Sequence, residues 1–343
     1  MSAAKIKGLL LEYIVARLLK NCGFTPVMPD GLIVYRHAGL TMINGKGAAH
    51  DADVLLNPPI QMPFSYPYRI IFECKAYAGK TKLPVVRNAF GLRYDINEFE
   101  VVTRTQLGNR RNNVRSEYAI DKRQRFNYQV GIASVEEFTK PAFEFAANNK
   151  IPLLSLRWFL PEHTCNLFKQ ITEENLSEFS RMQIRNLSNE LRDGSAPIDN
   201  EILNSRDNVL GEIFAGFREF ERSVVIGLLE SGDMLFLISR NDDIFERVSN
   251  MEFSNRARFH YRERGGDYWE LSLEENQNIS FGFRLPRSIV SMWKEQNFSR
   301  QSAIDLKSTM FSKVFVFTGS GEIPFKVMNI DRHWLEEIEI ALG

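Results

Sequence analysis

Two apolar runs in this chain carry charge where charge is expensive. His50-Asp51-Ala52-Asp53-Val54-Leu55-Leu56 and Arg69-Ile70-Ile71-Phe72-Glu73-Cys74-Lys75-Ala76 both have the composition of β-strands. A buried carboxylate or ammonium costs several kcal/mol unless something compensates it. Strand side chains alternate faces, so Glu73 and Lys75 emerge on the same side. Where these two strands lie side by side, the charges converge on one edge of the sheet. Two carboxylates and one ammonium converging there are what a magnesium-dependent phosphodiesterase needs.

The remaining bulk properties narrow the setting. A length of 343 residues predicts about two domains, and 44% hydrophobic with 25% charged residues is ordinary for a globular protein with a sizeable core. The formal net charge is zero, so no global field draws the protein onto nucleic acid or an anionic membrane. Such binding must come from a local patch. Cys22, Cys74 and Cys165 are far apart and odd in number, which fits neither a disulfide framework nor a zinc site and points to a reducing, cytoplasmic compartment. The apolar stretch from Gly8 to Leu19 contains Glu12 and Arg17 and is too short to span a bilayer. It reads as a buried helix, and no membrane association is expected.

Along the chain, a helix is predicted over 5–21, ended by Cys22-Gly23-Phe24 with glycine at the cap. Short β runs follow at 32–36 and 40–44, and Gly45-Lys46-Gly47 turns into a strand over 51–56. A strand over 69–76, a helix over 84–99, a strand over 128–134, a helix over 140–149 and a strand over 151–156 complete an alternating α/β pattern. Residues 166–192 read as helical, 193–197 as a linker and 198–220 as a further helix. Period-two runs then dominate: 223–230, 234–240, 257–264, 268–273, 279–284, 313–318 and 324–329, with helices over 286–296 and 332–342. The expected organisation is an α/β domain over 1–160, a helical connector over 161–197 and an α+β, mostly antiparallel domain over 198–343.

The order helix, hairpin, aspartate strand, Glu-x-Lys strand, helix resembles the PD-(D/E)xK nuclease superfamily, and most closely its Mrr-like restriction endonuclease branch. Gly45 to Leu55 resembles that branch's glycine-rich turn into the aspartate strand, and Phe72-Glu73-Cys74-Lys75-Ala76-Tyr77 its Glu-Cys-Lys signature. The strand–Ser/Thr–helix–strand run from Val130 to Leu156 follows it too, so the resemblance covers roughly 5–157. It implies a restriction-endonuclease-like mixed sheet flanked by helices, and metal-dependent cleavage of phosphodiester bonds. Asp53 and Glu73 would bind Mg²⁺, with Mn²⁺ as a substitute and the backbone carbonyl of Cys74 as a further ligand. Lys75 would orient or deprotonate the attacking water, or stabilise the phosphorane. A lysine beside two carboxylates tends to stay protonated, which favours the electrostatic role. Asp51 shares a face with Asp53, so either could be the ligand. The family pattern favours Asp53, which directly precedes Val54-Leu55-Leu56. Glu12 corresponds to a glutamate that first helices of this family often aim at the metal, although helical spacing also groups it with Lys5 and Lys20 on a possible solvent face. His50 could contact phosphate or be a turn-side surface histidine. The branch's glutamine on the next helix is missing; Asn88 or Arg87 could occupy its space. A surface ion-pair ladder on a half-exposed sheet is the plain alternative for the whole set.

Substrate binding has its own signal. Arg104, Arg110, Arg111, Arg115, Lys122, Arg123 and Arg125 are opposed by Glu117 and Asp121 alone, so seven cations against two carboxylates leave a local balance of +5. In a neutral chain this is a concentrated phosphate-binding candidate, which Arg87, Lys80 and Lys82 could extend. In the C-terminal part, the pairs Phe259/Tyr261, Tyr268/Trp269, Phe281/Phe283 and Phe315/Phe317 read as core faces more readily than as base-stacking platforms. Arg256, Arg258, Arg262 and Arg264 could face nucleic acid or pair with Glu252, Glu263 and Glu270. The expectation is a Mg²⁺-dependent DNA endonuclease of restriction or anti-phage defence, homodimeric if both strands are cut, with RNA as a possible substrate. The competing expectations are a non-catalytic nucleic-acid-binding or assembly protein on a nuclease scaffold, and a nuclease silent until a ligand or partner engages the C-terminal domain.

Overall fold

The computed structural model describes residues 2–31, 33–61, 64–98, 125–193, 197–230, 232–239, 241, 243–261, 268–276, 278–285, 287–319 and 323–340. The first helix, α1, spans Ala3–Asn21. The Ser2 side chain caps it by accepting from the Lys5 amide, and Gly23 follows at φ +89, the left-handed conformation that ends helices. Its apolar residues wrap most of the way round the helix, and Ile6, Leu10, Leu11 and Ile14 are fully buried.

Six strands follow before the second helix: β1 (Thr25–Pro26), β2 (Val34–His37), β3 (Leu40–Asn44), β4 (Ala49–Asp51), β5 (Val54–Asn57) and β6 (Tyr68–Lys75). Then come α2 (Leu83–Asn97), β7 (Asn127–Ser134), α3 (Lys140–Asn148) and β8 (Leu153–Ser155). β1-β5-β6-β7-β8 form one mixed sheet, antiparallel from β1 to β6 and parallel from β6 to β8, and β2-β3-β4 form a small second sheet. Alternation along β6 divides the core. Phe72 and Cys74 pack with the apolar face of α1, whereas Ile71 packs with Leu55, Val130 and the helices α2 and α3. Glu73 and Lys75 follow Ile71 onto that second face.

The strand expected over 51–56 is two strands. β4 pairs with β3, β5 pairs with β6, and Ala52-Asp53 is where the chain leaves one sheet for the other. The helical stretch after 160 is also broken, into α4 (Glu162–Gln170), α5 (Glu173–Ser177) and α6 (Arg181–Asp193). Thr172 caps α5 by accepting from the Asn175 amide, which restarts the helix where a continuous one was expected. The helix over 198–220 is α7 (Glu201–Asn204) and α8 (Val209–Glu221), and the side chain of Asn208 caps α8 by accepting from the Gly211 amide. The strand over 151–156 gives way to a 3₁₀ turn at Leu156–Trp158.

The C-terminal part contains β9 (Val224–Leu229), β10 (Met234–Ile238), α9 (Ile244–Ser249), β11 (Ser254–Tyr261), β12 (Tyr268–Leu273), β13 (Ser280–Arg284), α10 (Arg287–Glu295), α11 (Arg300–Met310), β14 (Lys313–Phe317), β15 (Phe325–Ile330) and α12 (Arg332–Ile340). The strands close into a barrel in the order β10-β13-β12-β11-β15-β14-β9, antiparallel except for the parallel pair β11–β15. Helices α9 and α11 carry no strong signal in the sequence. Phe259, Trp269, Phe281 and Phe283 are fully buried in the barrel core, whereas Tyr268 and Phe315 are half-buried and Tyr261 is exposed.

One hydrophobic cluster runs through both halves. It joins α1 and the α1 face of β5 and β6 to α4, α6, α8, β9 and Phe317 of β14. Among the described residues, no helix is long and apolar enough to cross a membrane.

Candidate active site

Asp53 sits at the exchange between the two sheets, and its carboxylate does a backbone's work there. Its Oδ2 accepts the Cys74 amide at 2.7 Å, just past the last β5–β6 pair, Val54 with Phe72. That bond holds Asp53 against the end of β6. On the same strand Lys75 Nζ donates to Glu73 Oε2 at 2.9 Å and lies 3.9 Å from Asp53 Oδ2. One ammonium therefore bridges carboxylates from two chain segments. All three side chains are partly buried, 20–26% exposed.

In an antiparallel pair the N–H and C=O of one residue point to the same neighbour. The Cys74 amide faces the Asp53 side, so its carbonyl faces that side as well, where β5 has not yet begun. Two carboxylates and this carbonyl form an oxygen-only donor set at the open corner of the sheet, which suits a hard divalent cation. Among the described residues, nowhere do three or more His, Cys, Asp or Glu side chains gather into a ready metal cage.

The electrostatics reflect crowding of negative charge. Burial, followed by the neighbouring Glu73, pushes the Asp53 carboxyl up to about 6, against the Cys74 amide and Lys75. Glu12, half-buried on α1, is pushed up to about 8, first by burial and then by Asp53, while Arg192 and Lys75 oppose the rise. Burial works against the charge on Lys75, but Glu73 and then Asp53 outweigh it and its pKa is raised. Lys75 is thus held as a cation. The Cys74 thiol is held well above its ordinary range by burial, so it is inert as a nucleophile.

A cavity of about 540 Å³ opens beside Asp53 on the α1 side. Glu12, Asp51 and Asp53 line it with Lys5, Arg36 and Arg192. Glu12 is therefore turned into this cavity, which it shares with Lys5 of the same helix. His50 is tied elsewhere, its Nε2 being 2.6 Å from Asp95 Oδ2 of α2. The same carboxylate accepts from the amides of Gly47 and Ala48, at 2.6 and 3.3 Å. Asp95 thereby clamps the glycine-rich turn, and Gly45 lies so close beneath it that an added Cβ would fall 2.0 Å from Asp95 Oδ2.

The basic candidates fall in different places. Arg87 is exposed near the start of α2, its guanidinium 5.8 Å from the Phe145 ring, and Asn88 is exposed beside it. Arg125 is exposed, 5.9 Å from the Tyr66 ring. It precedes β7, whose first residue Asn127 pairs with Tyr68, whereas Lys75 pairs with Ser134. Seven residues of strand, roughly 23 Å, separate those two ends. Arg125 is therefore not beside Glu73 and Lys75, because β6 and β7 run parallel and those two residues sit at the far end of β6. Arg104, Arg110, Arg111, Arg115, Lys122 and Arg123 lie outside the described residues.

In the barrel, Arg256 pairs with Glu274 at 2.9 Å and Arg258 with Asp331 at 2.9 Å and Glu274 at 3.0 Å. Their partners come from the end of β12 and from the residue after β15, not from Glu252 or Glu270, because β11 lies between those strands. Arg262, Glu263 and Arg264 lie outside the described residues.

Arg192 was not among the candidates. It belongs to α6, far along the chain, and nothing in its local sequence relates it to Asp53. Only the apolar spacing of Ile184, Leu187 and Leu191, which seats α6 on α1, hinted that this helix packs inward.

No family model matches the chain, and no curated protein matches it. A crystal structure of a protein of unknown function, AF1548, is similar at 16% identity and a TM-score of 0.30, covering 62% of this chain and 96% of that one.

Proposed function

We propose that the chain is a metal-dependent nuclease of restriction-endonuclease-like fold that hydrolyses DNA phosphodiester bonds. The observation that carries this reading is the Lys75 ammonium set between Glu73, at 2.9 Å, and Asp53, at 3.9 Å, at the open corner of the mixed sheet. The mixed sheet with α1 on one face and α2 and α3 on the other supports the same reading, as does the Glu-Cys-Lys strand itself.

Asp53, Glu73 and the Cys74 carbonyl would hold Mg²⁺ or Mn²⁺. The cation would neutralise charge on the phosphoryl group and lower the pKa of bound water. The chain's own groups do the rest. The Cys74 amide fixes the rotamer of Asp53, so the carboxylate is preorganised rather than recruited. Lys75 stays protonated and presents an N–H to the attacking water or to the phosphoryl oxygens, a stabilising rather than a basic role. Glu12, turned into the adjoining cavity, can take a proton near neutral pH, since burial holds its carboxyl at about 8. A homodimer would place two such sites for cleavage of both strands.

The test is cleavage of plasmid, linear and single-stranded DNA, and of RNA, with Mg²⁺ or Mn²⁺. Wild-type protein should cut DNA, and Asp53→Asn and Lys75→Met should each lower the rate at least 100-fold while near-UV circular dichroism stays unchanged. Cutting that persists in both variants would falsify the assignment.

A further inference from the structure

We propose that Arg192, on a helix outside the nuclease-like segment, binds a phosphate of the nucleic-acid strand next to the one being cut. This deepens the nuclease reading and rests on it for the nature of the ligand.

The cavity beside Asp53 is two-signed. Glu12, Asp51 and Asp53 form its acidic side, and Lys5, Arg36 and Arg192 supply matching cations. A cation bound at the acidic side would leave the basic side in excess, which is the charge balance a polyanion needs. At about 540 Å³ the cavity has room for a nucleotide unit rather than for a water or two.

Arg192 is the member built into place. Its helix is anchored by Leu187 and Leu191, 0% and 2% exposed, against α1. The guanidinium reaches under the β2–β3 turn, where a Cβ on Gly39 would lie 3.5 Å from Nη1. Its Nε is buried and makes no hydrogen bond. A buried donor without an acceptor is destabilising, and that cost is removed when an acceptor arrives. Arginine's fork is matched to phosphate oxygens, which accept from Nε and Nη together. Arg36 approaches the same space from the exposed hairpin and would add a second contact.

The experiment measures binding of a fluorescein-labelled DNA oligonucleotide by anisotropy across a salt series, with Ca²⁺ replacing Mg²⁺. Wild type is compared with Arg192→Gln, Arg192→Lys, Arg36→Gln and Arg185→Gln; Arg185 is exposed on the same helix. Arg192→Gln should raise Kd about 5- to 10-fold and reduce the slope of log K against log salt by about 1. Arg192→Lys should restore the slope but only part of the affinity, and Arg185→Gln should match wild type. Should Arg192→Gln fail to fold by thermal melting, Arg36→Gln carries the test with the same expected loss of slope.

An unchanged slope in Arg192→Gln, or an equal loss in Arg185→Gln, overturns the proposal even where wild type cleaves DNA with Mg²⁺. Loss of slope in a protein that never cleaves leaves Arg192 as a phosphate contact and removes the nuclease reading alone. Wild type that neither binds nor cleaves overturns both.

Discussion

At the scale of single residues, charge placement is informative because it is costly. Asp53, Glu73 and Lys75 compensate one another within 4 Å, so the cost of partial burial is shared among the three groups. Lys307 on α11 shows the opposite case. It is 8% exposed, and its Nζ lies 4.7 Å from the Trp334 ring and 5.7 Å from the Trp269 ring. Burial pulls its pKa down to about 8, whereas an unfolded lysine titrates near ~10.4. Between those values the unfolded chain binds a proton that the folded chain does not, so stability should rise with pH across that window. Below it, the folded state carries the full cost of the buried charge. Replacing the ammonium removes that cost but also the contact with the indole faces. Lys307→Met should therefore be more stable than wild type by about 1–2 kcal/mol at pH 7, and its stability should not rise between pH 8 and 10. Urea unfolding at both pH values measures this. A variant less stable at pH 7 would show the ring contacts to be the larger effect.

At the scale of elements, the turn preceding the aspartate is held from outside. Asp95 on α2 accepts from two amides of the Gly45–Ala48 turn and meets His50, which fixes where β4 begins and so the approach of the chain to Asp53. The His50 hydrogen bond first, and then the Gly47 and Ala48 amides, keep the Asp95 carboxyl below its ordinary range. Asp95→Ala should cost about 1–3 kcal/mol of stability, and amide exchange across residues 45–52 should accelerate more than elsewhere. Uniform acceleration over the whole chain would mean that Asp95 supports global stability and not this turn. A comparable tie sits at the other end of the sheet region, where Glu136 binds Arg157 at 2.6 Å and Lys169 at 2.8 Å, joining the end of β7 to α4. The turn's glycines and the Glu-Cys-Lys strand were visible in the sequence, whereas the clamp was not. Asp95 and Gly47 are 48 residues apart, and only the packing of α2 brings them together.

At the scale of the whole molecule, α1 serves two masters. One side covers Phe72 and Cys74 of the mixed sheet, and other buried residues join α4, α6, α8 and β9 in the same cluster. Residues 1–160 alone would leave much of that surface in water. Expressed as a fragment, they should aggregate or lack near-UV circular dichroism, while the full chain gives a sharp melting transition. A soluble fragment with native-like melting would show that the mixed sheet and α1 suffice by themselves. The barrel was likewise legible only in part. Alternating runs such as Phe259, Trp269 and Phe281 announced strands with one buried face, but closure depends on the long-range pairs β9–β14 and β10–β13, whose registers leave no mark on either strand alone.

Local rules thus determined where strands and most helices form, which faces are apolar, and that Asp53, Glu73 and Lys75 needed one another. Period and propensity act over a few residues, and charge in an apolar run is conspicuous at that range. Tertiary structure alone decided that Asp53 stands at the crossing between two sheets, that Arg192 arrives beside it, that Arg125 lies at the opposite end of β6, and that the C-terminal strands close. Each of these depends on contacts between residues distant in the chain, where the free energy comes from packing and desolvation of the assembled whole and not from any segment's own preference.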